Sequence, residues 1–575
     1  LTDKAIVSAK GDFLTLHKTD NKLYVELPVK TIGKEILVAV TLSSISNPQL
    51  GMVGFKNSNP VHMRFAQRDS AIVLEAVNSD PYLTGQLEKE LRPTFAPSYT
   101  DLALYKFPIK AWNKDKSAVV FDITSLVTKD QKYFPLIGKS LGSYQVQSSL
   151  QSDLGYIREI KAFEDNVSIK IDRSYRITLN SSRGGKSPLK DYPVTLGATF
   201  TILRLPEEPM TPRLADTRIG VFHISKNAYD PESKQIEAVR FVKRWRLEPS
   251  DVAAYKAGQL VRPKKPIVFY VENSFPPVWK AAMKEGTLRW NKAFEAAGFR
   301  NAIEVRDFPK NDKQFDPDNL EYSCIRYIPN SQETIAASNW TDPRTGEIFS
   351  GNLTIYNNVE ALLHKQRFIG TAAVDPQVRS SRLPQALFEE SLSQLVTQEM
   401  GSVLGLLHNY AASASYTTDQ LRSAKFTKES GLTPSILDGV TYNYLAQPSD
   451  KGVRLINDQL GVYDLFAIDW GYRYFDLKGD PAAEAKELLS RVDKRAREPY
   501  LRYAPEQRYA VDPTVRTEDL GNDPIKTAEL TMKNLAFIQS NLSKWITNDP
   551  DSRKKKSLYL AIVQGYYLQL KNAMS

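Results

Sequence analysis

The residues best spaced for chemistry lie in Gln398-Glu399-Met400-Gly401-Ser402-Val403-Leu404-Gly405-Leu406-Leu407-His408-Asn409. Their frame is that of the zinc-site pattern H-E-x-x-H-x-x-G-x-x-H. In that pattern, imidazoles at i and i+4 lie about 40° apart on one helical face and grip one ion. A glutamate beside the first imidazole polarises the ion-bound water as general base. A glycine ends the helix in a sharp turn, which swings a third imidazole back to the metal. Here Glu399, Gly405 and His408 hold the right offsets, but Gln398 and Ser402 stand where the first two imidazoles belong. A catalytic zinc needs three protein ligands and an open position, and an amide carbonyl or a hydroxyl is a poor donor beside imidazole. The residues therefore predict no functional zinc between 398 and 408. They predict a vestigial site in which Gln398, Glu399, Ser402 and His408 cluster, linked by hydrogen bonds or water. Glu399, a general base with no metal-bound water to activate, is expected to be inactive and to make a hydrogen bond or ion pair. His408 is expected as a hydrogen-bonded core histidine. Glu389 and Glu390 lie more than two turns earlier and are expected as exposed helix carboxylates, not as substitute ligands.

Little else in the chain is arranged for catalysis. There are five histidines, at 17, 62, 223, 364 and 408, and one cysteine, Cys324. A single cysteine forbids an internal disulfide or a thiolate zinc cluster. Cys324 is expected as a small buried residue, and the four scattered histidines as structural or exposed ones. No phosphate-cradling glycine loop and no Gly-x-Ser-x-Gly elbow occurs, and Ser182 has no base partner nearby in sequence. The net charge is +10, from 76 Lys and Arg against 66 Asp and Glu. Its longest basic run, Arg553 to Lys556, reads as a solvated helix start, so nucleic-acid binding is unsupported. A composition of 42% hydrophobic and 25% charged residues is that of a globular chain and excludes wholesale disorder.

The elements that must position the motif follow from hydrophobic periodicity. Before about residue 265 short alternating runs recur, at Leu23–Leu27, Ile36–Val40, Val119–Ile123 and Val167–Ile171, with turns such as 180–185 between them. An apolar strand at Ile267–Val271 follows, and then a helix from Trp279 to Ala297 stopped by Gly298. Strands are expected at Ile325–Ile328 and Asn352–Tyr356. A long helix over 386–404 carries Leu392, Leu395, Val396, Met400, Val403 and Leu404. From about 475 the chain reads as mainly helical, with an irregular stretch at 500–525. The expectation is an α+β chain with a β-rich region at 1–265, an α+β domain at 266–475 and a helical region at 476–575. No run of 18 or more apolar residues predicts a transmembrane helix.

Over residues ~10 to 575 the chain resembles the bacterial zinc-dependent metalloproteases with DUF5117, DUF5118 and DUF4953 regions, common in Bacteroidota. The resemblance rests on the 398–408 frame, on Asp216-Thr217-Arg218-Ile219-Gly220-Val221-Phe222 and Trp290-Asn291-Lys292-Ala293-Phe294, and on Thr341-Asp342-Pro343-Arg344-Thr345-Gly346-Glu347 and Tyr442-Asn443-Tyr444-Leu445-Ala446-Gln447-Pro448. It implies a metzincin- or gluzincin-like catalytic domain, zinc as the family's cofactor, and members that continue past the point matching residue 575. The family's Met-turn, a Ser-Ile-Met-Asp-Tyr-like stretch, reads Ser435-Ile436-Leu437-Asp438-Gly439 here, with Leu437 at the methionine position. Fold-supporting residues match and chemistry-bearing ones depart. The reading is therefore a pseudoprotease without zinc, acting as a binding or scaffolding subunit in the cell envelope. Its partner is expected to be a protein or peptide, in an outer-membrane complex. The alternatives are a residual zinc metallopeptidase and a basic protein binding anionic polymers or lipids. The resemblance further implies export to the periplasm or outer membrane of a Gram-negative bacterium, with a lipid anchor. A chain starting at Leu1 fits a removed signal segment, and equally a sequence that begins partway along a longer protein.

Overall fold

Alternation of apolar and polar residues over the first two hundred positions builds one long antiparallel sheet. In the computed structural model the described residues are 6–574, except 57, 84–89, 92, 182–183, 231–234, 313, 478–480, 496 and 510. Ser182, and with it part of the turn expected at 180–185, lies outside them. Twelve strands join edge to edge, from Val7–Lys10 at one end to Ser140–Leu141 at the other. Lys22–Pro28 shows the pattern that drives it: Leu23, Val25 and Leu27 are buried while the residues between them are not. One apolar core, with Phe65, Phe121, Phe134 and Phe200, lies against this sheet. A small sheet, Pro81–Tyr82 with His223–Asp230 and Gln235–Val242, adjoins it in sequence.

The second large unit is a mostly parallel sheet with helices. Its strands run in the order Arg244–Trp245, Glu347–Tyr356, Ser323–Ile328, Ile267–Val271 and Ile303–Asp307, all parallel. Ile335–Thr341 pairs antiparallel with Glu347–Tyr356. Parallel neighbours need crossover connections, and helices here supply some of them. The α+β class and the helix at Gln385–Val403 agree with the sequence reading. The core of this unit already takes in Ile219, Val221, Val242 and Trp245, so packing changes before the change in texture at residue 265.

Two helical readings need correction. The single helix expected over 279–297 is two, Pro277–Leu288 and Asn291–Ala296. The chain breaks at Arg289 and Trp290, whose side chains both turn toward the long helix. Arg289 donates to Thr397 Oγ1 and Ser393 Oγ, and the fully buried Trp290 indole donates to the Thr397 carbonyl at 2.8 Å. Helix Val359–Thr371 was not anticipated. Its inward face carries His364 and Arg367, which blurs the apolar stripe by which a helix is recognised.

Beyond residue 475, helices Pro481–Arg495, Pro524–Trp545 and Arg553–Met574 pack onto the second unit. No helix among the described residues is long and apolar enough to cross a membrane. Arg213 ties this region to the chain before it. Its guanidinium reaches Glu484 at 2.5 Å and donates to the carbonyls of Trp470 and Arg473, each at 2.7 Å. With 2% of its surface exposed, it leaves a buried carboxylate and two carbonyls unpaired if removed. Arg213→Met should cost about 3 kcal/mol or more in chemical unfolding. The double variant Arg213→Met, Glu484→Met should recover part of that loss, because no orphaned charge remains.

Candidate functional site

Helix Gln385–Val403 begins after Pro384 and buries Leu392, Val396, Met400 and Val403. Gln398 and Ser402 therefore sit one turn apart on one face. The helix ends where the pattern requires. Leu404 N donates to Met400 O, Gly405 N to Ser402 O and Leu406 N to Gly401 O. Gly405 has φ +90°, and a Cβ there would lie 2.1 Å from the Lys243 carbonyl oxygen. Only glycine meets both demands. After the turn, Phe222 N donates to Gly405 O and Leu407 N to Gly220 O, so the segment 220–222 guides the chain toward His408.

His408 is half-buried. Its Nδ1 lies 2.9 Å from the Leu437 carbonyl, and since a carbonyl only accepts, that nitrogen carries the proton. The ring stacks on Tyr410 with centroids 5.8 Å apart. Asn409, fully buried, donates to Arg502 O and accepts from the Ala411 and Ala504 amides. The turn at Ser435–Asp438 passes beneath the helix. Leu437 is fully buried, and a Cβ on Gly401 would come within 2.4 Å of its Cδ2. The turn hangs on Asp464, whose carboxylate accepts from Ser435 Oγ at 2.6 Å, Ile436 N at 2.8 Å and Gly461 N at 2.7 Å.

Of the links expected within the motif, direct side-chain hydrogen bonds are not found. Among the described residues, no side-chain hydrogen bond joins any of Gln398, Glu399, Ser402 and His408 to another. Gln398 Oε1 accepts from Gln394 Nε2 at 3.3 Å, one turn back along the same helix. Among the described residues the Glu399 carboxyl makes no hydrogen bond or ion pair, contrary to expectation. Burial alone pushes its carboxyl up to about 7. Glu390 is not a free surface carboxylate either: it is half-buried and pairs with Arg367 at 2.7 Å.

This donor set does not fit a catalytic zinc. Of the three ligand positions only His408 offers an imidazole nitrogen, its Nε2. Gln398 already shares its carbonyl oxygen, and Ser402 offers a neutral hydroxyl. No group of three or more His, Cys, Asp or Glu among the described residues is placed to hold a metal ion. Sequence reasoning missed Asp464 as the brace of the turn. Its only sequence signal is its place three residues after Gly461 at a helix start, which speaks of capping and not of residue 435.

Several buried carboxyls of this region share one direction. Desolvation raises Asp464 to about 6 and Asp519 to about 6, and burial with the Asp519 charge raises Asp438 well above its usual range. Groups with folded pKa values above their unfolded ones bind more protons when folded, so stability falls as pH rises through that window. Unfolding free energy should therefore decline between about pH 4 and 7 on their account. Glu399→Gln should stabilise the chain at pH 8 by up to about 3 kcal/mol, less for the part of the carboxyl that solvent reaches, and by nothing at pH 4. Denaturant titrations across that range measure it. Gly405→Ala should cost about 2 kcal/mol or more, through strain at positive φ and the clash with Lys243.

Comparison with known families agrees with this geometry. A Met-zincin family, DUF4953, matches residues 380–575; a domain of unknown function, DUF5117, matches 56–250; and DUF5118 matches 1–45. No curated protein and no solved structure gives a significant match. The helix, the Gly405 turn and the 435–438 turn all lie in the Met-zincin segment, and the three matches together support a relationship of this chain to a metalloprotease family.

Proposed function

We propose that this chain is a metalloprotease-like protein without a working zinc site, which binds a protein or extended peptide in place of cleaving it. The observation that carries the proposal is the donor set: His408 alone remains of three imidazole positions, while the helix, turn and Leu437 floor around it are built. Function resides in sites grafted on folds, and a fold outlives its chemistry when the cleft is still useful. Ile335–Thr341 supports a binding role. It is an antiparallel edge strand on a parallel sheet, packed against the motif helix, and no strand among the described residues pairs its other edge. An edge strand binds an extended peptide through main-chain hydrogen bonds that need no metal. Residence in the cell envelope rests on the family resemblance alone, and fractionation of native cells tests it.

A second reading, an atypical peptidase, is favoured by one observation. A carboxyl brought to about 7 is poised for proton transfer near neutrality. Zinc analysis and peptide cleavage separate the two. The purified chain should hold no stoichiometric zinc and cleave no peptide. The double variant Gln398→His, Ser402→His should gain one tightly held zinc, since both positions already share a helical face. Stoichiometric zinc in the unaltered chain, with cleavage abolished by chelator and by Glu399→Gln, would establish the peptidase instead.

A further inference from the structure

A cavity of about 300 Å³ lies between the two large sheets, away from the motif helix. One wall is a face of the long antiparallel sheet. There Lys170, Thr199 and Thr41 stand in register across three strands, with Thr201 and Ser43 on the same face. The other wall is Thr354 and Trp340 of the parallel unit. The loop at 51–56 closes the cavity and is held by both sheets. Tyr356 donates to Val53 O at 2.6 Å, Gly54 N donates to Leu42 O at 2.7 Å, and Leu42 N donates to Phe55 O at 3.0 Å. Gly54, at φ +90°, lies so close that a Cβ would meet Thr354 Oγ1 at 2.9 Å.

This anchored loop delivers Lys56. Its ammonium stands 5.2 Å from the centre of the Trp340 ring and makes no hydrogen bond or ion pair among the described residues. Desolvation lowers it to about 8, and no carboxylate counters that shift. The other cations on the walls are already matched: Lys170 with Glu159 and Asp318, Arg158 with Asp172, Arg326 with Glu272. Lys56 is the exception. Around it are hydroxyls in the same condition. Ser43 Oγ is enclosed without a partner. Thr201 and Thr354, each 5% exposed, make no side-chain hydrogen bond among the described residues. The cavity thus presents an unpaired ammonium and three hydroxyls free to donate, and its one lining carboxylate, Asp318, is already held by Lys161 and Lys170. A ligand that suits it must accept several hydrogen bonds and carry negative charge.

We propose that this cavity binds a tetrahedral oxyanion of the phosphate or sulfate class, with Lys56 supplying the charge and Ser43, Thr201 and Thr354 the neutral hydrogen bonds. The site is independent of the motif at 398–408 and of the peptide-binding reading. Calorimetric titration of the dialysed full chain with inorganic phosphate, and separately with sulfate, at constant ionic strength tests it. Saturable binding of one ion per chain is expected. Lys56→Met should weaken it at least about tenfold. Thr201→Val, nearly isosteric, should weaken it less and in the same direction. Lys365→Met, at a distant ion pair with Glu333, should leave it unchanged. Glycerol phosphate distinguishes the ion from the head of a larger ester: tighter binding than phosphate assigns the ester, and weaker binding the free ion. Absence of saturable binding of either ion, or equal binding by the folded Lys56→Met and Thr201→Val variants, would overturn the proposal.

Discussion

The carbonyl oxygen and side chain of one residue, Leu437, hold the motif region together. Its carbonyl accepts both from His408 Nδ1 and from the Asn409 amide, at 2.9 and 3.1 Å. Its side chain fills the space left by the missing Cβ of Gly401, next to the Trp290 indole. The turn that presents Leu437 could not be buried without a partner for its amides, and Asp464 is that partner. Three donors converge on one carboxylate that has no access to water. Desolvation makes the ionised form costly there, while the three hydrogen bonds favour it, and burial is the larger effect. Helix end, glycine turn, histidine and floor are thus one packed object, in which each piece limits the others.

That coupling explains how scaffold and chemistry come apart. Zinc ligands contribute to a fold through the metal, but Gln398 and Ser402 stand on a helix that is already fixed by Met400, Val403 and the Trp290 contact. Changing what projects from those two positions alters no core volume. Changing Gly401 or Gly405 would drive an atom into Leu437 or into the Lys243 carbonyl. The positions that hold the shape are therefore of a different kind from those that hold an ion. Relationship to a metalloprotease family and an unsuitable donor set are compatible for this reason.

Local pattern carried much of this into the sequence. The strands at Lys22–Pro28 and Asn166–Ser181 and the helix at Gln385–Val403 were legible because one periodicity ran through each. The offsets of Glu399, Gly405 and His408 were legible because a helix and a turn of fixed geometry link them. What was not legible depends on partners distant in sequence. The break at Arg289 and Trp290 answers to Ser393 and Thr397, over a hundred residues later. The burial of Arg367 answers to Glu390 and Ser391. The role of Asp464 answers to a turn almost thirty residues before it. Lys56 carries no signal of its own in the sequence, and the anchoring of its loop on two sheets is what places it at the cavity.

Glu399 has a meaning within this arrangement that differs from its neighbours. Asp464 is desolvated but has three donors, and Glu390 has Arg367; Glu399 has neither. A carboxylate so placed lowers stability at neutral pH, and a glutamine would remove the charge at little steric cost. It is therefore not a stabilising residue of the fold. A donor brought by a bound partner, such as the N–H of an extended peptide, would satisfy the carboxylate and lower its pKa again by hydrogen bonding to the charged form. Under the proposed function, binding of such a partner at Glu399 would then be coupled to proton release at neutral pH. Under the proposed binding reading, the glutamate at the general-base offset of the pattern would have an electrostatic use that needs no metal.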